Sequence, residues 1–289
     1  MIVLPIAGLA LARFNLRRGQ GDRAGALRVA LFFLVLALTG LAFQAHHSMK
    51  FLYEWRALSW QVAAATFWAL ITGTIYIAIE PYVRRKWPQI LISSARLLVG
   101  RFTDPMVGRD VLLGAAAAAI AILVWQATHL VVGGAAFFTA PETLGPARFV
   151  VSIFATTLAE SVLRAIGMVI LLVILRAVIP NDTVAAILTT ILIASMALSD
   201  TYGPVWLRVI YAGSVAILAV LLAKRAGILS VVSFVFFILL QQRLPFTLDT
   251  TAWFFARSAV GMLVLTVFIA CAFRISVGTR RWLPRVAVE

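Results

Sequence analysis

The stretch that decides the fold is residues 150–178, VVSIFATTLAESVLRAIGMVILLVILRAV. Its only charged residues are Glu160, Arg164 and Arg176. An α-helix needs about 20 mainly apolar residues to cross the hydrocarbon core of a bilayer. Lipid offers no hydrogen-bond partners, so a segment of this kind must pair its backbone groups within itself, as a helix does. The stretch therefore predicts a transmembrane helix, either tilted or preceded by a turn at the membrane surface.

The same composition runs through the whole chain. Hydrophobic residues make up 63% of it and charged residues only 12%, with a mean hydropathy of +1.01. Soluble domains are about half apolar and a quarter charged. The sequence predicts one membrane domain, residues 1–289, with an all-α fold: a polytopic helical bundle of about eight spans in a lipid bilayer. Residues 1–12 are predicted as a partial first span. The full spans are predicted at about 25–44, 58–80, 111–132, 150–178, 183–199, 206–223, 226–241 and 251–273.

Basic residues collect on alternate connections between these spans. The basic residues of the other connections are fewer and are nearly balanced by acidic ones. Because excess Lys and Arg mark cytoplasmic loops, the pattern predicts a cytoplasmic C-terminal tail at residues 274–289. It also accounts for the net charge of +14 without a nucleic-acid partner.

The longest basic connection, residues 81–110, is predicted to contain a helix lying in the membrane interface. After Trp87 and Pro88, a helix places Ser93 and Arg96 on one face and apolar residues on the other. Tryptophan favours the headgroup level, and arginine there faces phosphates. The residues predicted to contact lipid headgroups are Arg84, Arg85, Lys86, Trp87 and Arg96. The segment serves either as a structural elbow, which is the simpler interpretation, or as a regulatory surface.

Glu160 and Arg164 stand four residues apart on the predicted helix, so their side chains can meet. Ionisable groups at membrane depth are costly and often functional, yet a paired carboxylate and guanidinium is also the least costly way to keep either. The pair is therefore a functional or a structural site. A transporter or permease subunit, with a polar path near Gln126, Glu160 and Arg164, is the alternative function that this pair keeps open.

Enzyme motifs are missing from the sequence. It has neither the glycine-rich phosphate-binding loop of ATPases nor the catalytic motifs of protein kinases. It also lacks the Gly-x-Ser-x-Gly motif of serine hydrolases and the His-Glu-x-x-His motif of zinc proteases. The three histidines, His46, His47 and His129, have no carboxylate at ligand spacing, and Cys271 is the only cysteine. The sequence thus predicts no catalytic residue, no cofactor and no metal, while the oligomeric state stays open.

Three segments together carry a resemblance to a known family. They are residues 11–26, LARFNLRRGQGDRAGA; residues 80–88, EPYVRRKWP, running on to GRDV at 108–111; and residues 245–254, PFTLDTTAWF, continuing into AFR at 272–274. They resemble the C-terminal multi-span membrane region of bacterial eukaryotic-like serine/threonine protein kinases, most densely in the second segment. In that family a cytoplasmic kinase domain precedes the membrane region, and this sequence contains no such domain.

The resemblance implies a non-catalytic anchor or sensor in the bacterial cytoplasmic membrane. It further implies a serine/threonine kinase domain as a partner, carried on the same longer protein or on a separate one. No catalytic residue of the family falls within this region.

Overall fold

A computed structural model describes residues 3–44, 50–132, 148–199, 204–244 and 246–278. Within these ranges the chain forms ten α-helices and one short 3₁₀ turn, Pro88–Leu91. The helices are α1 Val3–Arg17, α2 Arg23–Gln44, α3 Phe51–Lys86, α4 Ile92–Leu98, α5 Pro105–Val132, α6 Arg148–Val178, α7 Asp182–Ser199, α8 Val205–Arg225, α9 Ile228–Arg243 and α10 Phe255–Val277.

Six of the described helices are long and apolar enough to cross a membrane: α2, α3, α5, α6, α8 and α10. The protein is therefore a multi-pass membrane protein, but the predicted count of about eight spans is confirmed only for six. The apolar helices α7 and α9 are shorter. At 1.5 Å per residue the 16 residues of α9 extend about 24 Å, less than the roughly 30 Å of a hydrocarbon core. Residues 3–12 of the predicted partial span belong to α1, which continues to Arg17.

Helix α9 lies at the centre of the bundle, between α5, α6 and α8. Every residue from Ser233 to Leu240 is buried, so the helix is covered by protein on all sides. A helix that is apolar around its whole circumference is typical of such a position. The outer helices instead expose large apolar side chains, such as Leu31 and Val35 on α2 and Leu263 and Val267 on α10. These are the surfaces that face lipid.

The ends of the helices that carry most of the basic residues meet at one side of the bundle, here called the basic end. Trp87, after α3, contacts Arg176 at the end of α6. The backbone of Ile90 lies against Gly227 at the start of α9, and that of Ala272 on α10 lies against Gly108 on α5. The predicted alternation of basic connections thus brings the basic segments together in space. The C-terminal tail beyond Gly278 lies outside the described residues.

Close contact between α5 and α9 depends on a glycine. A Cβ atom at Gly114 would overlap the carbonyl oxygen of Ser230 and lie 2.8 Å from the backbone nitrogen of Phe234. Beside it, the Ser233 hydroxyl donates a hydrogen bond of 2.8 Å to the carbonyl of Val111. Small residues that let backbones approach are the usual basis of helix packing in membranes, where the hydrophobic effect does not drive association.

The substitution Gly114→Ala should therefore destabilise the bundle by about 1–3 kcal/mol, because the methyl group pushes α5 and α9 apart. Thermal unfolding in detergent would measure the loss. Gly213→Ala on α8 is the matched control, since a Cβ there meets nothing within 4 Å. Equal melting temperatures for the two variants would contradict this packing.

Helix α3 continues through Pro81 to Lys86, although the sequence predicted that Pro81 would end the span. A proline inside a helix cannot donate to the carbonyl four residues earlier, here Ile77. Asn15 of α1 supplies the missing donor: its side-chain nitrogen donates to the carbonyls of Ile77 (3.1 Å) and Ala78 (2.9 Å). Asn15 is only 2% exposed. The predicted connection 81–110 therefore begins as helix, and α1 compensates for the proline.

Replacing Asn15 with Ala should lower the free energy of unfolding by about 1–3 kcal/mol, because the partly buried Ile77 carbonyl and the buried Ala78 carbonyl lose a donor. The penalty should shrink in a Pro81→Ala background, where the backbone N–H of residue 81 pairs with Ile77 again. A double-mutant cycle of unfolding free energies measures this coupling. If Asn15→Ala were equally destabilising in both backgrounds, the compensation would be disproved.

Candidate functional site

The main candidate site is a cluster of polar side chains between α6 and α9. The Glu160 carboxylate accepts a hydrogen bond of 2.9 Å from Nε of Arg164, whose Nη2 lies 2.7 Å from the same oxygen. The second carboxylate oxygen accepts a hydrogen bond from Arg243, the last residue of α9. Arg243 also donates to the Thr157 hydroxyl at 3.1 Å. The contact predicted between Glu160 and Arg164 is confirmed, and Arg243 and Thr157 extend it to a second helix.

This cluster lies alongside helix α2. Ala159, next to Glu160, packs against Phe33 and Ala69. Phe33 is the eleventh residue of the 22-residue helix α2, so it lies about 16 Å from either end at 1.5 Å per residue. Since α2 and α6 are both helices long and apolar enough to span the membrane, the cluster lies within a spanning segment and beside the middle turns of α2.

Two guanidinium groups share one carboxylate here, so the four residues carry one excess positive charge. The side chains are partly exposed: 28% for Glu160, 41% for Arg164 and 27% for Arg243. Such charges persist at membrane depth only when they are paired or reach water. The pairing explains how α9 can end inside the bundle, because its terminal arginine finds an anionic partner there.

The chain after Arg243 also pairs its polar groups locally. Leu244 is 2% exposed. The Thr247 N–H donates to the Ser258 hydroxyl at 2.7 Å, and that hydroxyl donates to the Thr247 carbonyl at 3.0 Å. Further along, the segment is exposed, with Leu248 at 85% and Trp253 at 69%. The Thr247–Ser258 contact therefore ties the chain after α9 to the start of α10.

Sequence reasoning missed Arg243 because its charge was counted with a loop outside the membrane. The available signal was length: α9 has only 16 residues, and Arg243 is the last of them. Gln126 does not join the cluster. It is exposed on α5, whose principal neighbours are α9 and α10.

A second candidate region lies at the basic end. The Arg176 guanidinium lies over the Trp87 ring, 4.3 Å from its centroid, and pairs with Asp182 at the start of α7. These residues, with Ala177 and Pro180, line an open depression of about 460 Å³. Of the other predicted headgroup contacts, Arg84 is exposed and pairs with Glu80 at 2.6 Å, and Arg85 is exposed. The side chain of Lys86 lies outside the described residues.

Arg96 has a different role from the one expected. Its guanidinium donates to both carboxylate oxygens of Asp104, at 2.7 and 3.0 Å, and Asp104 also accepts the Met106 N–H at 2.9 Å. The Met106 N–H and then Arg96 hold the pKa of Asp104 below its ordinary value. Arg96 thus braces the start of α5. Ser93, predicted on the same outward face, is buried, because the short helix turns that face toward the bundle.

In the described parts of the chain, no three His, Cys, Asp or Glu side chains are grouped. His46, His47 and the side chain of His129 lie outside the described residues. Cys271 is exposed on α10.

Comparison with known proteins adds no identity. No protein-family model matches the chain, and no curated protein or solved structure matches it significantly.

Removing the carboxylate at Glu160 should destabilise the bundle, because two arginines then lie at membrane depth without an anion. Glu160→Gln should lower the free energy of unfolding by about 1.5–3 kcal/mol. Adding Arg243→Gln should restore part of the loss, since one cation is removed with its partner. Unfolding in detergent compares the single and double variants. Strictly additive losses would show that the two side chains do not interact.

Proposed function

We propose that this chain is the non-catalytic membrane module of a bacterial serine/threonine kinase signalling system. It anchors a kinase domain at the cytoplasmic membrane and passes a change within the membrane to that domain. In this proposal the basic end and the C-terminal tail face the cytosol, as the excess of Lys and Arg favours. Catalysis belongs to the kinase domain and not to this chain.

The observation that carries the proposal is the structure of the connection after α3. The segment with the densest family resemblance forms an ordered unit, comprising the 3₁₀ turn, α4 and the start of α5. The unit contacts α3, α5 and α9. It is fixed by the Arg96–Asp104 pair at one side. At the other side, Gly227 has a φ of 93°. A Cβ atom at Gly227 would lie 2.6 Å from the carbonyl oxygen of Ile90, so there is no room for one.

This arrangement suits signal transmission. Helix α9 begins against the ordered unit and ends at the Glu160 cluster. A stimulus that binds two arrangements of that cluster differently would shift α9, and with it the surface that holds the kinase domain. A lipid, a small molecule or membrane tension can act on such a cluster.

Site-specific photo-crosslinking in the native membrane tests the proposal. A photoreactive residue in place of Arg101, exposed between α4 and α5, should capture a serine/threonine kinase domain. The same residue in place of Trp60, 77% exposed on the opposite half of α3, should not. The captured polypeptide is identified by mass spectrometry. Capture of transport proteins from Arg101, with no kinase, would contradict the proposal.

A transporter or permease subunit is the second candidate, favoured by the paired charges on the candidate spanning helix α6. It requires that the cluster open to water from both sides. Gln126 does not support a shared path, because it lies on a different surface. Water accessibility of a cysteine at Thr157 from both faces of the membrane would favour transport over anchoring.

A further inference from the structure

The depression at the basic end lies where three helix ends meet. Trp87 follows α3, Arg176 and Ala177 belong to the last turn of α6, and Asp182 begins α7. The depression is open on one side and has a volume of about 460 Å³. The helix ends place the depression at the level of lipid headgroups.

Its walls combine one cation, one anion and apolar surface. Side-chain exposure is 25% for Arg176 and 49% for Asp182, so both charges are accessible from the depression. The Trp87 ring holds the guanidinium in place from behind. Large apolar side chains are exposed just beside the site, with Val178 at 75%, Ile174 at 48% and Val184 at 44%.

These charges select the ligand. A phosphate alone would pair with Arg176 but meet repulsion from Asp182, and an amine alone would meet the reverse. A molecule that carries both charges a few ångströms apart satisfies both residues. An exposed ion pair contributes little to stability, so such a ligand can separate Arg176 from Asp182 at small cost. The exposed apolar residues next to the site offer a surface for acyl chains.

We propose that this depression binds the headgroup of a phosphoethanolamine lipid. The phosphate pairs with Arg176, the ammonium donates to Asp182, and the acyl chains run along Ile174 and Val178. Trp87 is a positioning residue that orients Arg176. The proposal is independent of the kinase module, because it rests only on the chemistry of the depression and its place at the membrane surface.

Native mass spectrometry of the full chain, stripped of lipid and then titrated with single lipids, tests the site. Phosphatidylethanolamine should be retained in preference to phosphatidylglycerol, which lacks an amine, and to phosphatidylcholine, whose methylated amine cannot donate a hydrogen bond. Asp182→Asn should reduce the preference for phosphatidylethanolamine over phosphatidylglycerol by roughly tenfold, the effect of losing one charged hydrogen bond. Arg176→Gln should weaken both lipids.

Two further variants separate binding from folding. Ala177→Phe fills the depression and leaves both charges in place, so it should abolish retention of phosphatidylethanolamine. Arg225→Gln removes an exposed charge from the same end, at the last residue of α8, and should change nothing. Equal retention of the three lipids, or full retention in Ala177→Phe, would overturn the proposal. If soluble glycerophosphoethanolamine competed for the depression as well as phosphatidylethanolamine does, the assignment of the site to a membrane lipid would be overturned.

Discussion

Backbone hydrogen bonding without water is the constraint on which this structure depends. Inside the bilayer every N–H and C=O must find a partner within the protein. Helices satisfy most of them, and the exceptions explain the unusual features. Pro81 interrupts the pairing of α3, and Asn15 replaces the missing donor. The chain turns back after the short helix α9, and Ser258 pairs with both backbone groups of Thr247. Each irregular point has a specific polar side chain assigned to it.

Electrostatics follows the same logic at two depths. Within the spanning helices, Glu160 neutralises one of two arginines and joins α6 to α9. At the basic end each pair joins an accessible arginine to a more buried carboxylate, with exposures of 65% and 2% for Arg84 and Glu80 and of 38% and 14% for Arg96 and Asp104. The Glu160–Arg243 pair links two helices, so it contributes to their packing. The pairs at the basic end hold carboxylates that the fold has buried.

Composition and periodicity predicted the class of fold, the positions of most helices and the end at which the basic residues gather. They failed where a tertiary contact replaced a local rule. Pro81 predicts a helix end unless Asn15 is known to lie beside it. The sequence predicts that Arg243 lies in a loop, because it does not show that α9 ends inside the bundle. Ser93 reads as polar surface, but packing of the short helix buries it. Within the cluster, only the Glu160–Arg164 contact could be predicted from the sequence, because both residues lie on one helix.

The length of α3 has a consequence for the surrounding membrane. Residues 57–79, between Arg56 and Glu80, carry no charge and extend about 34 Å at 1.5 Å per residue, slightly more than a hydrocarbon thickness of roughly 30 Å. A small excess of apolar length is relieved by tilting, and the angle then depends on bilayer thickness. In a thicker bilayer α3 tilts less, and in a thinner one it tilts more. Pro81 and the ordered unit follow directly at one end of α3, so a change in the tilt of α3 changes the orientation of that unit. The thickness of the bilayer thereby controls how this surface of the protein is oriented.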